Sequence, residues 1–220
     1  MPDWVSPVAR YVFEHGLPET LRLAAMAVAG SAVVGIVLGT LLTIRFLPSR
    51  VLIRAYVEVW RGLPVLVTIF LAYFALPGIA GVRFGAFTAA AIGLTLWGSA
   101  QVAEATRGAV QSIPREQHDA AAALGFTWLT RHRDVILPQA FRRLLPPLVS
   151  LLVNVIQNTT IAAVIGVAET LEAGNRQTER LLFATSSSHS LEIFGGVMAI
   201  FFVISFPLTR LAAYLERRLV

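Results

Sequence analysis

Five long apolar runs, separated by shorter polar stretches, set the rhythm of the 220-residue chain. They cover residues of about 21–46, 55–76, 84–105, 148–168 and 191–214. About 20 predominantly apolar residues suffice for a helix to cross the hydrocarbon core of a bilayer. The pattern therefore predicts an all-α, polytopic membrane protein with five transmembrane helices, forming a single domain over residues 1–220.

The polar stretches predict the connections. Before the first run, Trp4, Val8, Tyr11 and Val12 fall on one face at helical spacing. Ser6-Pro7 reads as a helix start and Gly16 as a stop, giving a short amphipathic helix at the membrane surface. Residues 1–20 carry Asp3, Arg10, Glu14, His15 and Glu19, which does not fit a cleavable signal. Pro77-Gly78 predicts a turn after the second run, and residues 169–190 a polar loop before the fifth. In the first run, Gly35 and Gly39 form a G-x-x-x-G spacing that lets a second helix approach closely.

The longest polar stretch, residues 116–140, lies within a segment of about 108–147 between the third and fourth spans. It predicts a small-residue helix over 119–124, ended by Gly125, where positive φ costs nothing. A second helical run over about 128–137 is expected to close at Pro138.

Composition narrows the class. The chain is 56% apolar and 14% charged, with mean hydropathy +0.69, too little polar surface for a soluble globule of this size. It has no cysteine, so neither a disulfide nor a thiolate metal site is available. The net charge of +5 comes entirely from arginine, but the arginines are spread between apolar runs and build no continuous nucleic-acid-binding face. They do fix an orientation. With the 108–147 segment in the cytoplasm, that side holds Arg45, Arg50, Arg54, Arg107, Arg115, Arg131, Arg133, Arg142, Arg143, Arg217 and Arg218. The other side holds Arg10, Arg22, Arg83, Arg176 and Arg180. The expected topology thus puts the N-terminus outside and the C-terminus in the cytoplasm.

Enzyme chemistry finds no support. His15, His118, His132 and His189 do not fall at metal-ligand spacing, no serine has a G-x-S-x-G setting, and no glycine-rich loop ends in Gly-Lys. Polar residues inside the spans instead suggest a solute pathway. Glu58 with Arg61 and Glu104 with Arg107 each place opposite charges three residues apart on one helix face, where they can pair. They are candidates for a cytoplasmic gate, with interfacial snorkelling as the bland alternative. Thr68, Gln101, Asn154, Gln157, Asn158, Thr159 and Thr160 are candidates for lining the pathway, with helix–helix hydrogen bonding as theirs. Neutral amides and hydroxyls can hold a polar solute without burying a fixed charge. A self-sufficient secondary transporter or channel remains the alternative class, although no internal repeat or mid-span carboxylate points to one.

Asp119-Ala120-Ala121, then Gly125, then Val135-Ile136-Leu137-Pro138 matches the signature E-A-A-x(3)-G-x(9)-I-x-L-P, with Asp and Val as conservative departures. In this the chain resembles the permease subunits of bacterial ABC importers. It is similar to their polar amino-acid uptake branch in Arg61-Gly62-Leu63-Pro64, Tyr73-Phe74-Ala75-Leu76-Pro77, Glu104-Ala105-Thr106-Arg107-Gly108, Gln111-Ser112-Ile113-Pro114, Leu137-Pro138-Gln139-Ala140-Phe141-Arg142 and Val164-Ile165-Gly166-Val167-Ala168-Glu169.

The resemblance implies that the helix before Gly125 is a coupling helix contacting a cytoplasmic ABC ATPase dimer. Arg115, Glu116, Asp119, Ala120, Ala121, Leu124 and Gly125 would carry that role. It also implies a second permease subunit, an extracytoplasmic solute-binding protein, a polar amino acid as cargo, and a bacterial inner-membrane setting surrounded by lipid. ATP and Mg would be bound by the ATPase, with no cofactor on this chain. Departures from the branch fall at Leu63, Thr68, Trp97, Gln101 and Gln157-Asn158-Thr159-Thr160, where a solute would be touched.

Overall fold

The computed structural model describes residues 2–44 and 48–219. Arg45 and the expected end of the first span at Phe46 lie outside the described residues. Among these there are helices and turns but no strand. The helices are α1 (Val5–Leu41), α2 (Arg50–Gly62), α3 (Val65–Ile79), α4 (Ala86–Gln111), α5 (Arg115–Ala123), α6 (Trp128–Ile165), α7 (Thr170–Thr185) and α8 (Ser190–Leu219). Four of them, α1, α4, α6 and α8, are long and apolar enough to cross a membrane; a fifth span exists if α2 and α3 are taken together.

Three leucine–proline steps explain why the helices run longer than the sequence suggests. Gly16 does not stop a surface helix, and Pro138 does not close one. Leu17-Pro18, Leu76-Pro77 and Leu137-Pro138 each follow a five-residue π turn, at Val12–Gly16, Leu71–Ala75 and His132–Ile136. In each the leucine N–H bonds the carbonyl five residues back: Leu17 to Val12, Leu76 to Leu71, Leu137 to His132. A proline inside an α-helix lacks its N–H and clashes with the carbonyl four residues earlier. The wider π turn absorbs the mismatch, and the helix continues. The turn expected at Pro77-Gly78 is likewise helical, and the chain reverses only at Gly81, with φ +68°.

The second apolar run is not one straight span. α2 and α3 meet at 112° across Leu63-Pro64. Pro64 biases Leu63 away from the helical region, and Leu63 is extended (φ −86°, ψ 139°). The residues expected to be a loop at 169–190 instead contain α7, a polar helix that the periodicity argument missed because its apolar face is short.

The core is set by α1 against α4, which run in the same direction. Gly30 faces Thr95, Gly35 faces Ser99 and Val102, and Gly39 faces Ala103 and Thr106. A Cβ on Gly35 would lie 2.6 Å from the Ser99 carbonyl oxygen, and one on Gly39 closer still to that of Ala103. The expected close approach at the G-x-x-x-G spacing is therefore present, with the backbones themselves in contact. Leu23, Ile69, Leu94, Val102 and Val155 are completely or almost completely buried around this pair.

The far end of α1 is tied to α7. Gly16 packs on Ala173 and the Thr170 backbone. The Thr170 N–H donates to Thr20 Oγ1 at 3.0 Å, and the two threonine hydroxyls are 2.7 Å apart. Glu169 caps α7, accepting from the backbone N–H groups of Leu171 (2.9 Å) and Glu172 (2.8 Å). Complete burial raises its carboxyl pKa above the usual value, against the opposing effect of those two bonds.

Candidate functional site

Three groups of residues stand out, arranged in sequence along α4 and α6. The first is α5 and its support. The helix starts after Pro114 and has Glu116 in its first turn, where a carboxylate favours the helix N-terminus. Its end is closed by two bonds, Phe126 N–H to the Ala121 carbonyl (3.1 Å) and Gly125 N–H to that of Ala122 (2.9 Å). This reversal requires Gly125 at φ +78°. Ala121 is buried against the body of the protein, whereas Arg115, Glu116, Asp119, Ala120, Leu124 and Gly125 are exposed. The sequence pattern gave no sign of their neighbours: Phe126, Trp128 and Leu129 are also exposed, so a charged rim surrounds an apolar patch.

Polar contacts hold α5 in place. Gln139 Nε2 donates to Gln117 Oε1 (3.2 Å) and to the Val135 carbonyl (3.0 Å). Arg143 Nη1 donates to the carbonyl (2.6 Å) and hydroxyl (3.0 Å) of Ser112, just ahead of α5. The buried His132 ring stacks on Trp128 at 4.0 Å and donates through Nδ1 to the Trp128 carbonyl at 2.9 Å. His118, on α5, sits edge-on 6.1 Å from it. Partial burial and the nearby Arg131 charge lower the His118 pKa and favour the neutral ring. Beneath these contacts lie Ala109, Val110, Ile113, Ile136, Ala140 and Leu144. Gln117 and Arg143 carry no motif signal, and Gln139 stands in a stretch that carries the resemblance without any sign of this bracing role.

The second group is a charge cluster where α2 crosses α4. The expected Glu58–Arg61 pair does not form. Glu58 pairs instead with Arg54, one turn earlier, at 2.9 Å. Arg61 reaches across to α4, lying 3.9 Å from Glu104 and donating through Nε to Gln101 Oε1 at 3.3 Å. The Glu104–Arg107 pair does form, through both carboxylate oxygens, and Arg107 also donates to Gln111. The bend at Leu63-Pro64 explains the exchange: it lays α2 across α4, so the i+3 pairing within α2 is replaced by one between helices. Arg54, Glu58, Arg61, Glu104 and Arg107 line a small cavity of about 60 Å³.

The third group is a cavity of about 330 Å³ between α4 and α6. Trp97, Val102, Leu148 and Leu151 give it apolar walls, and Gln101, Ser150 and Asn154 supply polar atoms. Among the described residues, no ionisable side chain lines it. Ser150, Asn154 and Gln157 recur at helical spacing along α6 and are all exposed, a polar stripe on the apolar second half of that helix.

The other expected pathway residues separate from this cavity. Thr68 and Thr159 are fully buried and donate to the carbonyls of Val65 and Ile156, each at 2.7 Å. Thr160 does the same to Gln157 at 2.7 Å, and Asn158 is half-buried beside it. Their hydroxyls are satisfied within their own helices, the local bonding that threonine offers in apolar surroundings. Trp97, a departure that the resemblance puts where a solute would be touched, joins the site, and so does Ser150, which was not expected there. The signal for Ser150 was the α-helical spacing that sets it one turn from Asn154.

The geometry has close counterparts. Residues 20–220 match the family described as the binding-protein-dependent transport system inner membrane component. The chain is 33% identical over 208 residues to the probable glutamine ABC transporter permease protein GlnM of Bacillus subtilis (strain 168), covering 94% of this chain and 93% of that protein. It is 34% identical over 220 residues to the glutamine transport system permease protein GlnP of Escherichia coli (strain K12), covering 99% and 97%. The crystal structure of an amino acid ABC transporter with histidines superposes with a TM-score of 0.84 at 30% identity, covering 99% of both chains. The inward-facing MetNI methionine ABC transporter shares the fold at a TM-score of 0.75 and 18% identity. A multi-pass helical chain with no nucleotide-binding loop of its own, matched almost from end to end, belongs to the binding-protein-dependent transport system inner membrane components: it is the permease subunit of an amino-acid ABC importer.

Proposed function

We propose that the chain moves a polar amino acid across the cytoplasmic membrane as one of two permease subunits, driven by an ATPase dimer seated on α5. The single observation that carries this reading is the build of α5. It is a short helix with small alanines and acidic groups facing out, stopped by a left-handed glycine and braced from behind by Gln139 and Arg143. Alanine lets a partner surface come close, and Glu116 and Asp119 offer it charge. The apolar patch of Leu124, Phe126, Trp128 and Leu129 gives such a contact its desolvated centre. ATP and Mg belong to that partner.

The solute is delivered by an extracytoplasmic binding protein and passes along the polar stripe of α6. A mid-helix stripe of amides is costly against lipid, so it faces water or protein, here the cavity shared with the second permease. The Arg54, Glu58, Arg61, Glu104 and Arg107 cluster closes the cytoplasmic side of that cavity, where opposite charges on α2 and α4 can part and rejoin. Cysteine placed at Ala120 should cross-link to the ATPase in the assembled complex, with a yield that changes when a non-hydrolysable ATP analogue is added. A cross-link absent at Ala120 but present at exposed positions of α7 would place the ATPase contact elsewhere and sink the proposal.

A further inference from the structure

The cavity between α4 and α6 has a polarity that fixes which solute groups it accepts, and its role as a solute site rests on its assignment to the translocation pathway. Gln101 lies where the cavity meets the charge cluster. Arg61 donates to its side-chain oxygen at 3.3 Å. A guanidinium has donors only, so the amide must turn its oxygen to Arg61, and its –NH₂ group faces away from that contact. Glu104 does not line the cavity; Arg107 holds it through both oxygens, while Arg61 lies farther off at 3.9 Å.

This end of the cavity therefore offers N–H donors backed by a positive charge. A carboxylate or a carboxamide oxygen finds a partner there. An ammonium or guanidinium side chain meets donors it cannot use and a like charge nearby, with no carboxylate among the lining residues. Asn154 and Ser150, on the opposite wall, both donate and accept and can take the remaining groups of an amino acid. Trp97, one turn along α4 from Gln101, gives the cavity a rigid wall.

We propose that Gln101, its amide oriented by Arg61, donates to the solute and makes this permease prefer an amino acid with an uncharged, carbonyl-bearing side chain over a cationic one. Arg61 is then a positioning residue.

The test is equilibrium binding of radiolabelled glutamine and arginine to the assembled permease–ATPase complex without its binding protein. The wild type should bind glutamine about 10-fold or more tightly than arginine, the size of discrimination one buried polar contact supplies. Gln101→Glu replaces donors by acceptors and should swing that ratio toward arginine by about 10-fold or more. Gln101→Leu, which adds no charge and guards against failed assembly of the first variant, should weaken glutamine and leave arginine nearly unchanged. Arg61→Ala frees the amide to turn and should narrow the preference. A purely structural role would lower both affinities together and leave the ratio alone. Binding whose ratio stays within about threefold of wild type in both Gln101 variants overturns the inference but leaves the pathway standing. No binding of either amino acid by the wild type overturns both.

Discussion

Replacing Gly125 by valine isolates the backbone requirement of α5 from its surface chemistry. Nothing lies within 4 Å of a Cβ built on Gly125, so the side chain starts out into open space. Its main cost is conformational. At φ +78° an L-residue pays roughly 1–2 kcal/mol, and a β-branched residue is a strong outlier there. The helix can avoid the cost only by giving up the Phe126–Ala121 and Gly125–Ala122 bonds, which moves Leu124 and Phe126 away from their present places. A penalty of that size lowers the population of correctly placed α5 by roughly 5- to 30-fold.

In proteoliposomes with the cognate ATPase and binding protein, the number of solutes moved per ATP should fall by a comparable factor. Basal ATP hydrolysis should persist. Gly125→Asn, which tolerates the left-handed region, should retain most of the coupling. A valine variant with wild-type stoichiometry would refute the reasoning, as would an asparagine variant as damaged as the valine one.

Individual contacts carry further consequences. Gly39→Leu forces a side chain into the Ala103 backbone and should cost about 1–3 kcal/mol or more, read as a lowered melting temperature and poor recovery in detergent. Thr20→Val leaves the buried Thr170 N–H without its acceptor and should destabilise by about 1–3 kcal/mol, with Thr20→Ser close to wild type in the same melting assay. Glu104→Gln removes the carboxylate shared by Arg61 and Arg107; uptake should change several-fold while assembly with the ATPase survives, and unchanged uptake would remove the cluster from the gate.

How far the sequence reaches depends on the kind of force involved. Apolar run length identified the membrane helices because burial in lipid is an additive, local demand. Gly125 was legible for the same reason: helix termination is a matter of one residue's φ. The stop signals mislead at Gly16, Pro77-Gly78 and Pro138, because a π turn beside each leucine–proline step lets the helix run on.

The Glu58–Arg61 pairing failed for a related cause. Spacing along one helix says nothing of a second helix that brings Glu104 and Gln101 within reach. Thr68, Thr159 and Thr160 show the opposite limit. Residue type marks a polar group in an apolar span, but only packing tells whether its hydroxyl is spent on its own backbone or left for a solute. The bracing role of Gln117, Gln139 and Arg143 was invisible because a brace between distant segments leaves no periodic trace.

The most direct test of the account is uptake into proteoliposomes of a labelled polar amino acid by this permease reconstituted with a cognate ATPase and binding protein. Accumulation should require all three proteins and ATP inside the vesicle, on the face that α5 presents. It should vanish when the ATPase is omitted. Accumulation by the permease alone, driven by an ion gradient and indifferent to ATP, would contradict it.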